Sequence, residues 1–367
     1  MRISKIIKPL RFVVLLCVLN VILCFAIEPV GGASETMWSE YFAETELDTI
    51  FVGSSVCSAT FDPGLINQRL NVKSFNMGTP SQAIAQSVDA LEVAFEDHQI
   101  KTVVVGMGFF GLQEKPVDEA ELTFEKALAR ELGGIAGVME SVEYLLSKDV
   151  RESEKSINYF FPWTYNQVTI SWEDIYRNVS TKISPVETVF DASTSERGNW
   201  RLEKGYRPYT GLADYENAWF SNSYYYYSEK FDPDMVAIFE ELMQLCNDNE
   251  VDLIVINAPH PTFDVISCAD YYAKSESQVK ELCEKYEVDY YNFSLAKPEV
   301  FESKAEYYYN FEHLNYQGSQ VFSEAFCDFM EKRASGEDMS QYFYSVEEYY
   351  EIHKDELEEW KSIYEPK

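Results

Sequence analysis

Two short stretches hold the residue types from which nucleophilic chemistry is built. "DTIFVGSSVCSATFDPG" (48–64) runs from an apolar, strand-like segment into Gly53, Ser54 and Ser55. "YYNFEHLNYQGSQVF" (308–322) sets His313 immediately before a helix-like segment. A serine hydroxyl is a poor nucleophile at neutral pH and needs a base within hydrogen-bond reach. Imidazole suits that task because its pKa lies near the working pH. The other three histidines are easily placed. His98 follows a charged helix end and reads as a surface residue, and His353 sits in an acidic helix and reads as solvated. His260 follows a strand in "NAPHP", at a sheet edge where ligands bind in open α/β folds, and is a candidate substrate contact.

Metal chemistry has little support. Of the seven cysteines, Cys17 and Cys24 lie in an apolar segment, and the remaining five contain no CxxC pair. A zinc site is therefore not expected, and neither a metal nor an organic cofactor is implied. One disulfide, for instance between Cys268 and Cys283, is compatible with an extracytoplasmic location.

The elements that must position these residues follow from hydrophobic patterning. Five short runs rich in β-branched and aromatic residues read as buried strands, at 49–53, 72–77, 101–107, 252–257 and 288–293. Helix-like segments alternate with them, including "PSQAIAQSVDALEVAFEDH" and "DPDMVAIFEELMQLCNDN". Such alternation predicts an α/β fold, a mainly parallel five-stranded sheet with helices on both faces. Roughly 140 residues separate the third and fourth strands, far more than one crossover needs. Residues 112–232 therefore read as a large helical and irregular insert, a cap or lid on an α/β domain spanning 45–335. Its aromatic residues read chiefly as core and cap, with Trp163, Tyr165 and Tyr209 also able to stack on a carbohydrate. Residues 336–367 read as an acidic C-terminal helix packed on the body.

The chain has 367 residues, with 62 acidic against 30 basic, a net charge of −32. That balance opposes nucleic-acid binding, which needs clustered Lys and Arg. Arg2, Lys5, Lys8 and Arg11 precede "FVVLLCVLNVILCFAI". The segment predicts a signal anchor within residues 1–30, with its basic end cytoplasmic and the rest of the chain outside. A signal peptide cleaved near Ala33, giving a secreted protein, is the alternative.

Taken together, these motifs resemble the SGNH/GDSL hydrolase superfamily, in particular its membrane-anchored extracytoplasmic branch in Gram-positive bacteria. "FVGSSV" resembles the strand that ends in a Gly-x-Ser turn, which makes Ser55 the nucleophile and its N–H an oxyanion donor. Ser54 then fills the place the family usually gives to aspartate. "FNMGTPSQ" is similar to the second block, whose glycine supplies another oxyanion N–H, here Gly78. "NFEHLNYQG" is similar to the last block, with His313 as base, followed by Leu314, Asn315 and Gly318. The resemblance covers roughly 45–110 and 250–330 and implies a flavodoxin-like α/β/α sandwich. Two departures stand out. Asn310 occupies the usual aspartate position, with Glu312 an alternative partner for the imidazole. After the third strand "VVVGMGFFG" has no asparagine, so a backbone donor such as that of Gly108 would have to replace it. The resemblance implies a serine esterase or O-acyltransferase, acting on an O-acyl, most simply O-acetyl, group of a cell-surface glycan or on a small ester. The two departures also suit a catalytically impaired protein of that fold that binds a surface polymer or assembly partner.

Overall fold

A computed structural model describes residues 4–27, 32–108, 111–112, 118–147, 155–161, 171–183, 204–213 and 231–364. Trp163 and Tyr165, named above as possible sugar platforms, lie outside the described residues. The chain divides into two compact units, one of residues 1–35 with 121–189, the other of residues 36–120 with 190–367.

The second unit is built on five parallel strands, β1 (Thr49–Gly53), β2 (Ser74–Asn76), β3 (Thr102–Met107), β4 (Asp252–Asn257) and β5 (Asp289–Asn292), in the order β2-β1-β3-β4-β5. Their β-branched residues are buried on both faces, as a helix-covered parallel sheet requires. Helix α5 (Ile84–Asp97) carries the chain from β2 over to β3 and packs against α10 (Pro233–Asp248), which precedes β4. On the opposite face α3 (Ser55–Thr60) and α4 (Pro63–Leu70) pack against α13 (Tyr316–Ala334). Helices α11 (Thr262–Ser267) and α12 (Ala269–Lys285) follow β4, and the acidic C-terminal helix α14 (Val346–Tyr364) packs on both. The direction of winding reverses at β1, which lies between β2 and β3, and this opens a crevice at the carboxyl ends of β1 and β3.

The core under α3 and α13 is aromatic. Phe51 stacks on Phe61, with ring centroids 4.7 Å apart, and Phe322 and Phe326 meet Phe61 edge-on. All four are buried, each contributing about 2–3 kcal/mol by removal from water. This packing holds the helix that begins at Ser55 against the helix that follows His313.

The first unit is helical: α1 (Ser4–Ile27), the start of α2 (Ala33–Tyr41), α6 (Asp118–Leu132) from residue 121, α7 (Gly134–Leu146), α8 (Lys155–Phe160) and α9 (Trp172–Ile183). Residues 204–213 belong to the sheet unit instead. There Asn76 N donates to Lys204 O at 2.9 Å, Arg207 N to Ser58 O at 2.7 Å and Tyr316 N to Tyr209 O at 2.7 Å. The segment is thereby tied to β2, α3 and α13.

Candidate active site

Ser55 stands at the first position of α3, directly beyond β1. Ser54 caps the helix, its hydroxyl accepting from Val56 N at 3.3 Å. A short strand-to-helix turn needs close backbone approach, and two glycines provide it. Gly53 has φ of +147°, and a Cβ there would lie 2.2 Å from Gly106 O. A Cβ on Gly106, its register partner on β3, would lie 2.9 Å from Cys57. The missing side chains let the first turn of α3 sit on the sheet edge.

Asn76, at the end of β2, then holds that turn. Its Nδ2 donates to Cys57 O at 3.0 Å and Phe61 O at 3.1 Å, and its Oδ1 accepts from Gly78 N at 3.0 Å. Sequence alone does not single out Asn76, because the segment 72–77 also carries the polar Lys73 and Ser74. Gly78 itself comes close to the nucleophile turn, since a Cβ there would lie 2.9 Å from Ser54 O and Ser58 N. Its N–H is turned onto Asn76 Oδ1 rather than toward a reacting carbonyl. Gly108 lies against the same turn, where a Cβ would be 3.3 Å from Val56.

His313 is buried, in a turn between Tyr309 and α13. Its Nε2 lies 2.7 Å from Ser55 Oγ, across 258 residues of sequence. Its Nδ1 lies 2.9 Å from Asn310 Oδ1. That oxygen also accepts the backbone N–H groups of Glu312, at 3.0 Å, and His313, at 2.9 Å. Two fixed N–H donors identify the amide oxygen, so Nδ1 carries the proton and Nε2 is left bare to accept the serine proton. Glu312 is exposed and contributes its backbone N–H to this turn. Asn310 is the residue that orients the ring.

The rest of the "HLNYQG" stretch anchors the turn. Leu314 is fully buried, and Asn315 caps α13 by accepting from Gly318 N at 2.9 Å. Asn315 Nδ2 donates to Glu306 O at 2.8 Å and Gly211 O at 3.0 Å. Gly318 permits contact with Tyr307, whose carbonyl would be 2.1 Å from a Cβ.

Two residues of the 204–213 segment bear on His313, Tyr209 by contact and Arg207 by charge. The Tyr209 ring lies 4.7 Å from the imidazole and stacks on Tyr309 at 4.7 Å. Its phenol pKa is raised, chiefly by burial, with a hydrogen bond to Ser55 working the other way. Burial lowers the pKa of the half-buried Arg207 guanidinium. The imidazole pKa of His313 is pushed down to about 4, first by burial, then by the charges of His260 and Arg207. His313 is thus neutral, and able to accept a proton, across the neutral range.

His260 is 1% exposed and faces protein rather than solvent. Its Nδ1 lies 3.0 Å from Asp264 Oδ2, its N–H donates to Ser294 Oγ at 3.0 Å, and its carbonyl accepts from Tyr308 Oη at 3.0 Å. Burial pushes its pKa down to about 4 and raises that of Asp264. The ring pairs with Asp264 in the corner after β4. His98 caps the end of α5 with its ring against Tyr41, and His353 bonds Glu356 at 2.8 Å. Among the described residues no group of three or more His, Cys, Asp or Glu is arranged to hold a metal, and no cysteine, Cys268 and Cys283 included, is joined in a disulfide.

No protein-family model matches the sequence, and no curated protein matches it. Among solved structures, a Bacteroides fragilis protein provisionally described as an acylhydrolase is similar at 9% identity and a TM-score of 0.37, over 81% of this chain and 95% of that one. A Streptococcus pneumoniae protein provisionally described as a platelet activating factor is similar at 10% identity and a TM-score of 0.38, over 81% of this chain and 92% of that one.

Proposed function

We propose that this chain is an SGNH/GDSL-type serine esterase or O-acyltransferase, held at the outer face of the cell membrane by α1. The observation that carries this reading is the 2.7 Å contact between Ser55 Oγ and a His313 ring whose bare nitrogen faces it.

Ser55 Oγ attacks the acyl carbonyl of an ester while its proton passes to His313 Nε2. The Nδ1–H stays on Asn310 Oδ1 throughout, so the ring keeps its orientation as it becomes imidazolium. The tetrahedral oxyanion is met by the N–H of Ser55, which at the first helical position has no intrahelical acceptor. Gly108 is the second candidate donor. Gly78 supports the turn through Asn76 in place of the donor role that the family pattern assigns to it. Collapse of the tetrahedral species breaks the ester C–O bond, and His313 returns its proton to the leaving alkoxide oxygen. The acyl group remains on Ser55 until water, or a second hydroxyl, attacks with His313 again as base. Tyr209, half-buried and packed against the rings of Tyr309 and His313, forms an aromatic wall beside the reacting atoms. An O-acetylated cell-surface glycan is the substrate class this reading favours.

The test is hydrolysis of a panel of p-nitrophenyl esters by the full chain. Turnover of the acetyl ester, abolished in Ser55→Ala and in His313→Ala, supports the reading. Absence of turnover of every ester leaves the site a binding surface for a polymer or assembly partner, the reading favoured by the lack of a carboxylate at position 310.

A further inference from the structure

The helical unit has a patterning opposite to that of a helix packed in water. On α7, Gly137, Ser141 and Tyr144 face inward. A Cβ on Gly137 would be 2.0 Å from Ala129 O, so α6 and α7 are in backbone contact there. Tyr159 Oη donates to Ser141 Oγ at 2.8 Å, and Tyr144 Oη to Glu121 Oε1 at 2.9 Å. The opposite face carries Ile135, Val138, Met139, Val142 and Leu146, at helical spacing and 49–80% exposed. A soluble amphipathic helix buries its apolar stripe and exposes its polar one. Small and polar residues inside with apolar residues outside is the arrangement of helices whose surroundings are lipid. On α9, Trp172 and Tyr176 are likewise exposed and lie one turn apart, residue types enriched at the membrane–water boundary.

What covers this face is indicated by its continuity with α1. Residues Lys8–Ile27 form one apolar helix, about 30 Å long, with side chains exposed along its length. Its last carbonyls are not left bare. Asn178 of α9, buried, donates to Ile27 O at 2.8 Å, and Lys182 Nζ donates to Phe25 O at 2.8 Å. Asn20 Nδ2 donates to Phe160 O at 2.9 Å, so the end of α8 meets α1 about 10 Å inside its C-terminal end. Tyr159, next in the chain, joins α8 to α7.

The geometry points to a bilayer interface as the occupant of this face: α7, with the exposed edge of α9, lies in the outer leaflet beside α1. The helical unit is then seated in lipid by amphipathic helices as well as by one span, at the depth of about 5–10 Å usual for such helices. The inference rests on α1 being a retained membrane span, as proposed above, and is independent of the ester chemistry.

It is tested with the full chain reconstituted in 1-palmitoyl-2-oleoyl-phosphatidylcholine vesicles. A photoreactive benzophenone residue is placed at 138 or 142, at 14 in α1, or at 280 on the exposed side of α12, and adducts are read by mass spectrometry. Lipid adducts at 14, 138 and 142, with yields about tenfold above the background at 280, are the expected result. Adducts at 14 but none above background at 138 and 142 overturn the inference. So do dimeric products from 138 and 142, which would assign the face to a second copy. Failure at 14 as well removes α1 as a span and the inference with it, while ester turnover stays separately measurable.

Discussion

Asn310 Oδ1 accepts from the backbone N–H groups of Glu312 and His313 as well as from the imidazole. The amide supplies the direction that a carboxylate usually supplies, without its charge. Burial, and then the charges of His260 and Arg207, depress the imidazole pKa, and an imidazolium formed in the proposed acyl transfer has no anionic partner at Nδ1. Three outcomes are expected at this scale. For the native chain kcat/KM rises with pH through about 4, as His313 loses its proton, and is flat through neutrality. In Asn310→Asp the carboxylate stabilises the imidazolium, so the acid limb moves up by roughly one unit or more, with up to about tenfold in rate per unit. Asn310→Ala removes the acceptor that fixes the tautomer, and kcat falls by about 10²–10⁴ with the fold retained. A pH profile of ester hydrolysis for the three proteins checks all of these. Sequence alone placed Asn310 and Glu312 as alternative partners. The choice between them depends on a turn in which a side chain folds back on its own backbone, and spacing does not encode that.

At the level of elements, the site exists because the ends of β1, β2 and β3 meet the starts of α3 and α13. The strands were legible: β1, β3 and β4 are apolar runs that need little context, and the shorter β2 and β5 are marked by aromatic residues between helix-like segments. The role of Asn76 was not legible, because its partners Cys57 and Phe61 become neighbours only once α3 has docked on β2. The same holds for Gly78, whose sequence position suggested an oxyanion donor while its N–H serves Asn76. His260 was placed at the correct sheet edge, but the depth of its burial depends on Tyr308, Ser294 and Asp264, which sequence does not bring together. Asn76→Ala would strand two carbonyls and one N–H in a buried site, at a cost of about 2–4 kcal/mol. Urea unfolding is expected to show that loss, together with reduced ester turnover. Asn76→Asp, which keeps Oδ1 for Gly78 but has no N–H donors, is expected to lie no closer to the native chain than Asn76→Ala.

The whole molecule carries 32 excess negative charges, and among the described residues Arg207 is a cation whose charge bears on His313. Such a field slows the approach of anionic substrates and is screened by salt. The kcat/KM for an anionic ester is expected to rise as ionic strength goes from roughly 10 to 150 mM, with a neutral ester of the same leaving group unaffected. The lopsided charge was plain in the sequence, and so was the apolar N-terminal segment. The inverted patterning of α7 was not, because only the packing of Gly137 and Tyr144 shows which face is inside. The proposed chemistry is local, with Ser55 as the nucleophile and His313 as its base. A serine-directed fluorophosphonate incubated with the full chain, followed by peptide mapping, tests it most directly. The account predicts a single adduct on Ser55, lost in His313→Ala; an intact chain that stays unlabelled, or is labelled equally well without His313, would contradict it.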